Sequence, residues 1–141
     1  MADTAATSGQ QAHNLAIVIA AHGGGDVVLL DVRAQASWTD HFIIATATSS
    51  THLRGLARYC AEEAMRQGLE RVGRHAARAD QADEEWVLMD FGTVVVHLML
   101  DRARAFYELE KLWFQSPAER IALPGPGALA AAAATQGAYR D

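Results

Sequence analysis

The chain has 141 residues, half of them hydrophobic and 21% charged, with a net charge of -5. That length suits one domain with a real core, and the acidic balance argues against autonomous, phosphate-driven binding of nucleic acid, which needs clustered Lys and Arg. A single cysteine, Cys60, excludes an internal disulfide and a Cys-based zinc site.

In chain order, residues 1–9 are small and polar and are expected to be a flexible N-terminus. The start carries no basic n-region, and the apolar run Leu15 to Ala21 is too short to span a bilayer, so the expected location is the cytoplasm. Leu15, Ile17, Val18 and Ile19 predict a short helix over 10–21, which His22-Gly23-Gly24-Gly25 ends. Val27 to Val32 and Phe42 to Thr46 are short, apolar and β-branched, and read as two strands. Ser49 and Ser50 suit the N-cap of a second helix. Its apolar stripe runs through Leu53, Leu56, Ala57, Cys60, Ala61, Ala64 and Met65, and Gly68 ends it.

Residues 71–85 are polar, with an edge strand expected near His75 to Ala79. Trp86 to Phe91 and Val94 to Leu100 predict a hairpin turning at Gly92-Thr93. A last helix is expected from Asp101, as its cap, to about Trp113, with Phe106, Leu109, Leu112 and Trp113 as its apolar face. Pro117, Pro124 and Pro126, the neighbouring glycines and the alanine run 130–134 predict a mobile C-terminal tail over 117–141. The order of elements predicts an α/β fold, a layered mixed β-sheet with flanking helices over 10–116.

No motif requires catalysis. Ser49, Ser50, His52 and the Asp40-His41 pair supply relay residue types, but there is no G-x-S-x-G elbow, and the serines are explained as caps. The six histidines lack H-x-x-x-H spacing, so no metal ligand set is assigned. The triple glycine precedes a strand and no Lys follows it, so it is a turn and not a P-loop. Cys60 lies on an apolar stripe and reads as a small buried residue. The hairpin is the most informative segment. Trp86, Leu88 and Asp90 share one face of its first strand, while Val95, His97 and Met99 share one face of its second. Such a mixture of aromatic, Met and polar groups suits a protein interface. Glu108 and Glu110 read most simply as a solvated helix face; with Asp90 and Asp101 they are natural counter-charges if a basic partner exists. The candidate partner-binding residues are Trp86, Asp90, His97, Asp101, Tyr107 and Glu108, with no catalytic residue and no cofactor.

Segments L-D-V-R (30–33), T-D-H-F-I-I-A-T-A-T-S-S (39–50), W-V-L-M-D-F-G (86–92), V-V-V-H (94–97) and F-Y-E-L-E-K-L-W (106–113) stand in a specific order and spacing. Through them the chain resembles the ribosomal silencing factor (RsfS, or Iojap-like) family from about Val27 to Trp113. It departs from the family pattern at Ala47, where Gly is usual, and at Thr93, where Asp is usual. The resemblance implies a nucleotidyltransferase-like fold without that fold's catalytic carboxylates. It also implies binding to the large ribosomal subunit through its protein fourteen, at the face that meets the small subunit, which blocks subunit joining and lowers translation when nutrients are scarce; members of the family commonly form homodimers. Two alternatives are an assembly factor for the large subunit and a residual nucleotidyltransferase-type enzyme using Asp31 and Asp40.

Overall fold

Short-range signals set where each element starts and stops. The computed structural model describes residues 7–72, 85–108, 111, 113 and 115–122. Helix α1 spans Ser8–Ala21 and begins earlier than expected because Thr7 caps it. The Thr7 hydroxyl accepts from the Gln10 N–H, and the Gln10 side chain accepts from the Thr7 N–H, a reciprocal capping box. Its buried residues, Ala12, Leu15, Ala16, Ile19 and Ala20, recur at helical spacing. The helix stops at a tight corner. A Cβ on Gly24 would sit 2.6 Å from the Ile19 side chain and 2.8 Å from the Ile19 carbonyl oxygen, so only glycine fits.

Strand β1 (Gly25–Asp31) and strand β2 (His41–Ala47) pair antiparallel. Helix α2 (Ser50–Arg66) follows, and the Ser49 hydroxyl caps it by accepting from the His52 N–H at 3.1 Å. Two of its residues depart from the expected stripe. Met65 is 77% exposed, and Glu63 is buried in its place. A 100° step per residue turns Met65 outward once Cys60 and Ala64 face the sheet. Glu63 tolerates burial because Arg66 and Gln67 both donate to its carboxylate. Beyond Gly68, which adopts φ +78°, the edge strand expected near 75–79 lies outside the described residues.

Strands β3 (Trp86–Asp90) and β4 (Val94–Leu100) form the expected hairpin, turning at Gly92 with φ +85°. Strand β4 also pairs parallel to β2, and α2 lies in the connection between them, so the sheet is mixed. Helix α3 is shorter than expected, Asp101–Tyr107. Its N-cap is Leu100 and no side chain caps it; Asp101 is instead its first residue. Glu108 then takes a left-handed conformation, φ +50°, which breaks the helix before Trp113. A fifth strand, β5 (Ala118–Ile121), pairs with β1 where a tail was expected; residues 123–141 lie outside the described set.

The sheet order is β3-β4-β2-β1-β5. Helices α1 and α2 cover one face and bury an aliphatic core containing Leu15, Ile19, Ile43, Leu53, Leu56, Cys60, Val96 and Leu98. The opposite face carries a smaller cluster of Val28, Leu30, Phe42, Ile44, Val95 and Met99, which Val32, Ala36 and Ala103 help to close. Among the described residues no helix is long and apolar enough to cross a membrane.

Candidate docking face

Strand register assembles the second face. Trp86 pairs with Met99, Leu88 with His97 and Asp90 with Val95, and across β2 Phe42 pairs with Val95 and Ile44 with His97. Directly paired residues share a side of the sheet. Phe42 is the hub. Its ring meets His97 at 5.1 Å and Trp113 at 4.9 Å, both edge-on, and Trp38 at 5.6 Å. Trp38 is 59% exposed, Leu88 43% and Phe106, on α3, 78%. Trp86 and Trp113 are half-buried against the cluster. A sheet face with this much partly open aromatic surface is suited to a partner.

The six residues expected to contact a partner do not all do the same thing. His97 is corrected from surface contact to buried support: it is 5% exposed. The Trp86 indole N–H donates to His97 Nδ1 at 3.2 Å, which requires a neutral imidazole protonated at Nε2. Burial favours that state and pushes the His97 pKa down to about 4. His97 therefore orients Trp86 from behind. Asp90 is half-buried and shapes the hairpin: its carboxylate accepts from the Gly92 N–H at 2.8 Å, and its carbonyl accepts from the Val72 N–H at 2.7 Å. Asp101 is exposed in the first turn of α3. Glu108, just past α3, is exposed and ion-paired with Lys111 at 2.9 Å. Tyr107 closes α3, and its side chain lies outside the described set.

Sequence reasoning missed Trp38, which lies in the polar loop before β2. A large aromatic among Ser37, Thr39 and Asp40 was the available signal. Helix α3 is anchored beneath this face by Arg104, 7% exposed, which donates to the Thr46 hydroxyl at 2.9 Å and lies 3.6 Å from the Asp26 carboxylate.

The candidate relay is not assembled. The Ser49 hydroxyl is occupied by a backbone N–H. His52 Nδ1 accepts from the Thr48 N–H at 2.9 Å, and its Nε2 donates to the His22 carbonyl at 3.0 Å, so the ring ties two loops together. Asp31 binds Arg33 through two hydrogen bonds, and this holds its pKa at about 2. Cys60 is buried, which pushes its thiol up to about 12 and away from nucleophilic reactivity. Among the described residues no group of three or more His, Cys, Asp or Glu could hold a metal ion.

The family model described as ribosomal silencing factor during starvation matches residues 5–140. The chain is 41% identical over 88 residues to the ribosomal silencing factor RsfS of Treponema pallidum, covering 62% of this chain and 76% of that protein. It is 35% identical over 89 residues to the mouse protein named mitochondrial assembly of ribosomal large subunit protein 1, covering 62% of this chain and 38% of the mouse protein. A crystal structure of a Chromobacterium violaceum protein superposes with a TM-score of 0.66 at 33% identity, over 74% of this chain and 84% of that one.

Proposed function

The chain belongs to the ribosomal silencing factor family, and from that premise we propose that it docks on the large ribosomal subunit and sterically prevents the small subunit from joining. The match of the family model over residues 5–140 carries this reading. The aromatic face of the sheet supplies a surface for it. Trp38, Leu88 and Phe106 would give apolar contact, with Trp86 held in place by His97. Asp101, exposed in the first turn of α3, supplies negative charge on an element that helps to close that face, while Glu108, just past α3, is already paired with Lys111. Such charge suits a basic ribosomal protein, and the family resemblance names large-subunit protein fourteen; charge of this kind mainly speeds encounter and sets register. Occupancy alone blocks joining, so the proposed action is non-enzymatic, cytoplasmic and triggered by nutrient scarcity, with a homodimer as the free form.

The test is sedimentation of the purified protein with isolated subunits at a magnesium concentration that permits joining. Comigration with the large subunit alone, together with loss of the joined particle, is the expected result. Comigration with neither subunit, and an unchanged joined peak, would sink the reading. The name of the mouse relative favours a second role in large-subunit assembly. Accumulation of precursor large particles in cells lacking the protein, during growth in rich medium, is the outcome that role requires.

A further inference from the structure

Charge pairing divides the arginines and lysine among the described residues into two groups. Arg33, Arg66, Arg102, Arg104, Lys111 and Arg120 each lie against a carboxylate. Arg54, Arg58 and Arg71 have no carboxylate partner among the described residues, and all three lie on α2 or a few residues beyond its end. Arg54 and Arg58 are exposed and one helical turn apart on the side of α2 turned away from the sheet. Arg54 reaches only the Thr51 hydroxyl, at 3.5 Å. Arg58 lies over the Tyr59 ring, 5.2 Å from its centroid. Tyr59 in turn stacks on His22 at 3.6 Å and 17°, and His22 is exposed. The His22 ring is fixed, because its Nδ1 donates to the Val18 carbonyl at 2.9 Å.

We infer that the outer face of α2 is an RNA contact, in which Arg54 and Arg58 take consecutive phosphates of a single strand and the His22–Tyr59 stack offers a platform for a base. In a chain of net charge -5, two exposed arginines one turn apart with no carboxylate partner among the described residues are a local exception. The exposed Glu62, one turn past Arg58 on the same helix, forms no ion pair with it, so a partner's anions would supply the neutralising charge. A bare acidic protein segment would satisfy the charge and leave the fixed aromatic stack unused; RNA satisfies both. The screening length at physiological salt is about 8 Å, so acidic groups on the far side of the sheet do not cancel the patch. The overall charge still keeps the contact weak, so it supplements docking by the opposite face and does not replace it. The two faces lie on opposite sides of the sheet and can be disabled separately.

The experiment is fluorescence anisotropy of a labelled, mixed-sequence single-stranded RNA of about twelve nucleotides, a length within the usual site-size range, with the full chain at low and at physiological salt. The wild type is expected to bind only weakly at low salt, with a salt slope of about 1.4, and not measurably at physiological salt, in keeping with the acidic balance of the chain. Arg54→Gln/Arg58→Gln should weaken low-salt binding at least tenfold and flatten the salt slope by about 1.4, two contacts at about 0.7 each. His22→Ala should weaken binding about tenfold while leaving the salt slope unchanged. Trp86→Ala should bind RNA as the wild type does, which separates this contact from the proposed docking face. Melting temperatures establish that each variant is folded. Absence of wild-type binding at low salt, an unaltered slope in the double variant, or equal competition by a polyglutamate peptide overturns the assignment.

Discussion

The two faces of the sheet are built on different principles. Under α1 and α2 the side chains are mostly aliphatic and buried, and they come from two long helices and the strands beneath them. On the other face the cover is a loop, the seven-residue α3 and Trp113, and the packing is aromatic and partly open. A face closed by long helices has its stability as its main product. A face closed by short pieces keeps stability and recognition in the same residues, as Trp86 shows: it packs on the second cluster, binds His97 and still reaches the surface. The difference teaches that substitutions should separate cleanly on the first face and mix on the second.

The sharpest contrast comes from the largest expected change. Leu56 is completely enclosed under α2, so Leu56→Ala should destabilise the fold by about 2–5 kcal/mol, read by urea denaturation. Subunit comigration should be unchanged at temperatures where the variant is folded. Selective loss of docking with a small change in stability would erase the distinction between the faces.

Next in size is the acid response of the second face. The His97 pKa falls from the ordinary 6.5 to about 4 on folding, so between those values the unfolded chain takes up a proton that the folded chain refuses. The stabilisation is complete above pH 6.5 and declines as pH falls to about 4, by roughly 3 kcal/mol. His41, also depressed by burial, acts in the same direction. Asp31, depressed from 3.8 to about 2 by Arg33, acts in a lower window: its stabilisation is complete above about pH 3.8 and is lost as pH falls to about 2. His97→Gln keeps an acceptor for the Trp86 indole and removes the titration. Its denaturation midpoint should therefore vary less between pH 6.5 and 4 than that of the wild type; an identical profile assigns the acid response elsewhere.

The smallest changes fall at the exposed rim of the second face, where recognition outweighs stability. Trp38→Ala and Leu88→Glu remove or charge exposed apolar surface. Each should weaken large-subunit binding about tenfold, near 1.4 kcal/mol. Each should move stability by no more than about 0.5 kcal/mol. Undiminished binding in both variants would place the contact on a different face.

Much of the first face was legible in the sequence. Leu53, Leu56, Cys60 and Ala64 recur at helical spacing and do face the core, and Ser49 caps as its hydroxyl suggests. The second face was legible only as a set of candidates. Alternation along β3 and β4 grouped Trp86, Leu88 and Asp90 with Val95, His97 and Met99, as the register confirms. Alternation cannot say how much of that side other elements cover, so His97 was expected at the surface and Trp38 was not expected there at all.

The sequence by itself determined the α/β class, the helices and strands of the core with ends good to a few residues, and the family. Those follow from local causes: side-chain periodicity, caps and turn residues act over a few positions. Tertiary structure decided the strand order, the fifth strand, the burial of Glu63, His97 and Arg104, and the exposure of Met65 and Phe106. Ala118–Ile121 has little pattern of its own, and it is a strand because β1 offers an edge of unpaired backbone groups. A buried charge such as Arg104 is tolerated because Asp26 and Thr46, far away in the chain, supply its partners. Pairing and burial depend on residues that meet only after folding, and no local window contains them.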